Sequence, residues 1–557
     1  MHHREKKWTY VYEYYSSKGL WIFIMDRLTS IIIGAVISII PILLFGCFNV
    51  SKISEGVPIH KLFSSFTDGW KNLNIFWKIC VFIFMTFNII QLIQFLYSLP
   101  RFIRLYHYYT NTLGISNRDL PTTQWNEVVD HILISDTSHK TSLLTIAQEI
   151  LREDNYICAI VSDSSLFTWR IPPKKQAQHF PITEAFIYIF KLAMTGIVLS
   201  SNGESLVNGT QSMRAPFVAS HLRRRFIFLG IFLTLFSPFL LCFQVFYLFL
   251  EFAQSLHSST GTLMYKEWTT EAKWIIREFN ELPHLLNERL ERSYFFANLY
   301  LDQFPSEFIL PLAKMASFIS GAFLSLLLIF GLFSDINTIM TFPILGGKTI
   351  AWLVALLATV YAATSSMLRR DPTFMSAEEA LIEVEKWIHH DFRDDSNSAH
   401  SWATMDKISK LYQPLWANFL RELFGVILNP LLFLLVLPYK AESIVEFIRK
   451  NSIQDPESGW ICAFSTFDLS DRGFCGTADQ KEKVVRSMRS FDAQGEQNPH
   501  VQLLDFSNNE FFSSQSHSKV IPNEDLLSPL YATELTDSQG SNDINEYTPK
   551  DFFDNVL

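Results

Sequence analysis

The sequence predicts an all-α polytopic membrane protein with about four transmembrane helices, two re-entrant membrane hairpins, helical cytosolic parts and a disordered C-terminal tail. Three observations carry this. The 557 residues are 48% hydrophobic and 15% aromatic but only 18% charged, and the apolar residues are gathered into runs. The runs are Leu28 to Phe48, Ile75 to Leu99, Phe226 to Leu250, Leu312 to Phe333 and Thr349 to Leu368. Each is about 20 residues or longer, enough to cross roughly 30 Å of hydrocarbon. Finally, the net charge of −9 lies mostly in the tail, where residues 471–557 hold 15 acidic and 7 basic side chains.

The first run, from Leu28, begins too late for a signal peptide and lacks a small-residue cleavage site, so residues 1–27 are expected to stay cytosolic ahead of a retained anchor. Residues 28–99 then hold the first two transmembrane helices around a lumenal loop, 49–74. Lys78 and Lys314 lie near the ends of their runs, where a long cationic stem snorkels to the headgroups. Residues 100–225 form a cytosolic block. Within it Phe186, Ile189, Phe190, Ala193, Met194 and Ile197 repeat with helical period, interrupted by Glu184 and Lys191, so this helix packs on the membrane domain rather than crossing.

Proline marks the two ambiguous segments. Ser237-Pro238 divides the run at 226–252, and Asn429-Pro430 divides a shorter apolar stretch within 414–437; each reads as a kinked span or as a re-entrant hairpin. Loop charge favours hairpins. If all six segments crossed, Lys266, Lys273, Arg277, Arg289 and Arg292 would be lumenal, as would Arg369, Arg370, Lys386, Arg393, Lys407 and Lys410, which inverts the positive-inside rule. With hairpins, both 253–311 and 369–413 become cytosolic, and 312–368 becomes a helix pair with a short lumenal loop. Ser376 and Glu379 form a capping box for a helix reaching His390. Residues 438–475 are cytosolic and 476–557, rich in Ser, Asn, Gln, Asp and Glu, are expected to be disordered.

Catalytic and cofactor motifs are few. Gly346-Gly347-Lys348-Thr349 resembles the end of a phosphate loop, but Phe342 stands where glycine is required. His389, His390 and His400 lie near Asp391, Asp394 and Asp395 without metal-ligand spacing, and read as a solvated polar loop. The six cysteines, at 47, 80, 158, 242, 462 and 475, read as reduced packing residues. No covalent catalysis, metal, cofactor or nucleic-acid binding is expected. Asn49-Val50-Ser51 is a glycosylation sequon in the proposed lumenal loop, and Asn208-Gly209-Thr210 lies in the proposed cytosolic block.

The charged passage between the third and fourth runs is the most specific signal. It reads Arg277-Glu278-Phe279-Asn280-Glu281-Leu282-Pro283-His284, then Arg289-Leu290-Glu291-Arg292-Ser293-Tyr294 and Gln303-Phe304-Pro305. This resembles the autophagy-related protein 9 family, whose F-N-E-L-P-H, basic helix, S-Y and Q-F-P stand here in order. Weaker similarity runs through Trp125, Glu127, Val128 and Val129, and through Ala399-His400, Phe419-Leu420 and Ser443 to Phe447, covering most of residues 20–475.

The resemblance implies a homotrimeric phospholipid scramblase that needs no nucleotide. It would be carried on Golgi- or endosome-derived vesicles, with the endoplasmic reticulum as a further site, seed the phagophore at the preautophagosomal structure, and work with a bridge-like lipid-transfer protein and autophagy initiation proteins. Polar groups at membrane depth suit a wet groove. Arg277, Glu281, His284, Lys314, Arg421 and Glu422 are the groove candidates, and Pro238, Asn429 and Pro430 the hairpin-shaping ones. Leu285 to Tyr300 and Phe419 to Phe447 are candidates for subunit contact. The chain departs from the family at Gly425-Val426, where Ser-Pro is usual, and in its shorter tails, so regulatory docking is expected to be reduced. Asp551 to Val556 carries Phe553 in a pattern suited to adding a strand to a ubiquitin-like protein. A vesicle scaffold with little transport activity, or an ion or solute transporter, are the competing readings.

Overall fold

The computed structural model describes residues 7–48, 63–135, 141–163, 166–169, 178–198, 215–258, 266–304, 309–333, 340–343, 348–368, 375–393, 398–455, 459–468 and 478–496. Asn49, Asn208, Cys475 and Phe553 fall outside them. The described residues are mainly helical, with three two-stranded antiparallel ribbons, two isolated bridges and connecting turns.

Helix α1 (Lys7–Ser16) leads through Gly19 into α2 (Leu20–Pro41). A π-helical turn (Ile42–Cys47) and the short α3 (Phe66–Asn72) follow, and then α4 (Ile75–His107) returns antiparallel to α2. Phe23 stacks on Phe102 at 3.6 Å at one end of this pair, and Ile42 and Cys47 meet Leu73 and Val81 at the other. Between these ends the Asn88 amide donates to Ser38 Oγ at 3.1 Å. Gly34 allows this closeness, because a Cβ there would lie 2.3 Å from Asn88 Oδ1. A second antiparallel pair, α12 (Ile309–Phe333) and α13 (Ile350–Leu368), meets at Gly321 and Tyr361. The helices that flank this pair, α11 (Pro283–Asp302) and α14 (Ala377–Ile388), pack on one another, so both ends of the pair leave from one place.

The polar body holds α5 (Trp125–Ser135), α6 (Leu143–Ile150), α7 (Arg152–Ser162), the ribbon β1 (Thr168–Trp169) with β2 (Gln178–His179), and α8 (Glu184–Met194). After the long α9 (Ala215–Ser258), β3 (Lys266–Trp268) and α10 (Thr270–Ile276) precede α11. Then come α15 (Trp402–Leu411) and β4 (Tyr412–Pro414), which pairs with β3. Helix α16 (Leu415–Leu431) passes through a π-helical turn (Leu432–Val436) into α17 (Leu437–Lys450). The ribbon β5 (Ser452–Asp455) with β6 (Gly459–Cys462) and finally α18 (Ala478–Glu496) are the last described elements. Two apolar cores hold the body: one gathers Tyr14, Phe102, Tyr109, Trp125 and Ile132, and the other Trp268, Leu290, Tyr300, Val384 and Tyr412.

Among the described residues five stretches are long and apolar enough to cross a membrane: Leu20–Cys47, Ile75–Leu113, Ala215–Tyr247, Leu310–Gly331 and Leu415–Lys450, with a shorter apolar helix at Ile350–Ser365. Most expected helices are present, and the capping box at Ser376 and Glu379 is closed in both directions. Its helix stops two residues short of expectation, at Ile388, because His389 takes a left-handed φ of 52°.

Three expectations need correction. The chain does not reverse at Pro238: α9 is helical on both sides of it. Proline leaves the carbonyl four residues back without its usual donor, and here Ser237 Oγ donates to that Thr234 oxygen at 3.1 Å. Nor does it reverse at Pro430, which lies inside α16; the helical path runs on through the π-helical turn into α17, with its largest backbone departure at Val436 (φ −111°). Lastly, the tail is not wholly without structure, since 478–496 is a helix packed on the body. The described cysteines, 47, 80, 158, 242 and 462, are all free thiols, four of them buried.

Candidate functional site on an amphipathic helix

The charged motif forms a sealed knot inside the body. After α10 the chain turns through Arg277 to Leu282 and enters α11 at Pro283, whose fixed φ suits the first helical position. Asn280 sits in the left-handed region (φ 60°), its backbone N–H donating to Asn155 Oδ1 at 3.0 Å and its amide to Ser465 O at 2.8 Å. Arg277, 6% exposed, pairs with Asp154 at 2.9 Å and donates to Glu281 O. Glu281, 4% exposed, takes the Arg289 guanidinium at 2.8 and 2.9 Å and the Glu278 backbone N–H at 2.9 Å. Glu278 meets His389 Nδ1 at 2.6 Å. Tyr12 OH and His284 Nδ1 lie 2.8 Å apart.

Electrostatics follow from this packing. Burial by itself raises the Asp154 carboxyl, but the Arg277 and Lys191 charges outweigh it and hold that carboxyl below its ordinary range. Burial is likewise overcome at Glu278 by His389 and Arg289. Burial depresses His284 to about 4, and it depresses His390 to about 4 with help from Arg486 and Lys483. Glu385 is raised to about 7, chiefly by burial.

These contacts remove Arg277, Glu281 and His284 from the groove-lining set, because their polar atoms are engaged within the body rather than facing an open surface. The same contacts correct the reading of His389 as part of a solvated loop, since it is an ion-pair partner of a buried glutamate; Asp394 and Asp395 lie outside the described residues. Among the described residues no group of three or more His, Cys, Asp or Glu could hold a metal.

Arg421, Glu422, Asn429 and Pro430 come together on α16. Trp416, Leu420, Phe424, Ile427 and Leu431 are exposed along one side of this helix, in steps of three and four that trace a single stripe. The opposite face carries Asn418, Arg421, Glu422, Gly425 and Asn429. Glu422 Oε1 accepts the Glu184 N–H at 3.0 Å, where a carboxylate complements the first turn of α8, and the Thr270 hydroxyl reaches it at 3.5 Å. Arg421 donates through Nη2 to Gln413 Oε1 at 2.9 Å, while Nη1 lies 3.9 Å from Glu271. Asn429 donates to Thr183 Oγ1 at 3.2 Å. A Cβ on Gly425 would lie 2.8 Å from Thr183 Cγ2, so glycine lets α16 sit close against α8.

This face is incompletely paired. Asn418 Oδ1, Arg421 Nη1 and Asn429 Oδ1 are buried without a hydrogen-bond partner. Such groups cost about 1–3 kcal/mol each when left unmade, and three on one helix face make a place for a polar visitor or water. Lys314 is exposed on α12, and Pro238 is exposed on α9; neither joins this cluster. Sequence reading missed Asn418 and Thr183, whose importance depends on packing between segments far apart in the chain. It also missed Asp154 and Arg289 as partners in the knot, although the motif itself was the signal that a knot existed.

The family model for autophagy protein ATG9 matches residues 7–468. Autophagy-related protein 9 of Cryptococcus neoformans is 25% identical over 526 residues, covering 83% of this chain and 53% of the relative. That of Dictyostelium discoideum is 26% identical over 496 residues, covering 87% and 70%. The chain spans about half the length of the fungal relatives it matches. The cryo-EM structure of Schizosaccharomyces pombe Atg9 superposes with a TM-score of 0.61 at 24% identity, over 83% of this chain and 98% of that one. With polytopic helices, the F-N-E-L-P-H knot and a family match across most of its length, this chain belongs to the ATG9 family of autophagy membrane proteins.

Proposed function

We propose that the protein moves phospholipids between leaflets without nucleotide, along the polar face of α16. Supporting this is one juxtaposition: buried polar atoms lacking partners lie on the reverse of an exposed apolar stripe. A phospholipid headgroup crossing bare hydrocarbon loses its hydration, whereas polar side chains and the water they admit replace those contacts while acyl tails remain against Phe424, Ile427 and Leu431. Arg421 suits a phosphate, because Nη1 makes no hydrogen bond and its carboxylate neighbour, Glu271, stands off at 3.9 Å. Each 1.4 kcal/mol removed from the barrier speeds transfer about tenfold. Covalent chemistry has no part in this.

In this reading the protein is a homotrimer on Golgi- or endosome-derived vesicles that seeds the phagophore and redistributes lipid delivered by a bridge-like transfer protein. Purified protein in liposomes carrying a fluorescent phospholipid tests it. Dithionite is expected to quench nearly all of the dye rather than the outer half. Arg421→Leu is expected to slow transfer about tenfold. A wild-type protein that leaves the inner-leaflet dye protected would leave the scaffold reading in its place.

A further inference from the structure

Helix α18 lies beyond the residues that the family model matches, yet it reaches the centre of the body. Val484, Val485, Met488 and Phe491 are buried beneath it, with Phe491 against Phe467. Ser487 Oγ accepts the backbone N–H of Phe279, inside the motif knot, at 3.1 Å. Lys483, 6% exposed, donates from Nζ to Ile275 O at 2.9 Å and to Ser162 Oγ at 3.0 Å. Ile275 stands in the last turn of α10, where carbonyls lack helical partners and a cation is favourable.

The other end of α10 touches α16. Glu271 faces Arg421, and Thr270 donates to Glu422. One seven-residue helix is thus gripped by α18 at its C-terminus and by the polar face of α16 at its N-terminus. The grip by α18 is weakly founded. Lys483 is buried against two neutral oxygens and makes no carboxylate ion pair among the described residues, and a buried charge without a counter-charge is costly.

We infer that α18 is a strap with docked and released states, and that Lys483 is a positioning residue. Docking fixes α10, and α10 fixes Arg421 and Glu422, so the C-terminal segment sets the geometry of the lipid path from outside it. The functional half of this inference rests on the reading of α16 given above; the mechanical half does not.

Hydrogen exchange on the full chain in nanodiscs tests it, comparing wild type with Lys483→Met and Ser487→Ala. Both variants are expected to speed amide exchange about tenfold in 478–492, and at least about threefold in 270–276 and 415–425, while 377–388 in α14 keeps its wild-type rate. Faster exchange in 478–492 with 270–276 and 415–425 unchanged overturns the coupling. So does an unchanged 478–492, or a rise that includes 377–388, which would make Lys483 a general folding residue. Absence of lipid transfer by the wild type sinks the lipid path alone, and the exchange rates still decide the coupling.

Discussion

The motif knot and the polar face of α16 are built from the same residue types and differ in saturation. In the knot, Arg277, Glu278, Glu281 and Arg289 are paired with one another or with Asp154 and His389, and Asn280 uses its backbone and its side chain. On α16, each of Asn418, Arg421 and Asn429 keeps an unmatched atom. A closed network specifies one arrangement and rigidifies it. An open one retains binding capacity at some cost in stability, which is where function is to be sought. Both surround α10, the first at its end and the second at its start.

Breaking the knot gives the largest expected effect. Glu281→Leu strands the Arg289 charge, 10% exposed, in the interior, and loss of one partner of a buried pair costs about 3–5 kcal/mol. Thermal unfolding followed by fluorescence-detected chromatography is expected to show a collapse of the folded peak. A melting temperature near wild type would mean the knot is not closed.

Acid sharpens the comparison next. His284 and His390 are held neutral in the fold at about 4 against an ordinary 6.5. Protonation therefore favours the unfolded chain, and their stabilisation is complete above about pH 6.5 and lost as pH falls towards 4. Glu385, raised to about 7 from 4.5, acts in the opposite sense, its contribution present below 4.5 and lost as pH rises through 7. The histidine share of the profile is a drop in melting temperature between pH 6.5 and 4, opposed by Glu385 and by Glu13 and Glu149, whose carboxyls burial also raises. His390→Gln is expected to flatten that drop, and an unaltered profile counts against a buried neutral His390.

The smallest effect on stability belongs to α16. Asn429→Leu removes an unmatched Oδ1 along with one hydrogen bond to Thr183, whose hydroxyl also accepts the Phe186 N–H. The two losses offset to within about 1 kcal/mol. Calorimetry should register little, while lipid transfer in liposomes should fall. A large melting shift would place Asn429 with the knot instead.

Much of the fold was legible because membrane crossing imposes a coarse and local rule. Runs of about 20 apolar residues announce themselves, and the antiparallel pairs α2 with α4 and α12 with α13 follow from them. The capping box at Ser376 was legible for the same reason, being complete within four residues. Pro238 misled because its effect depends on a neighbour: Ser237 supplies the donor that the ring removes. Helix α18 was missed because a mostly polar segment that docks through one lysine, one serine and a narrow apolar face resembles a solvated tail in composition. Charge near an apolar run signals polarity at the membrane but not whether that polarity is spent, so Arg277 and Arg421 read alike in the sequence although only the second keeps a buried nitrogen without a hydrogen bond.

Position 280 is constrained twice over. Glycine tolerates its left-handed backbone but offers no side chain to Asn155 and Ser465, and aspartate reaches Asn155 but has no donor for the Ser465 carbonyl and adds a charge. Among twenty letters the backbone admits few and the neighbours admit fewer. Asparagine satisfies both, its backbone accepted in the left-handed region and its amide both accepting from Asn155 and donating to Ser465, so local geometry and long-range packing write the same letter at the centre of the knot.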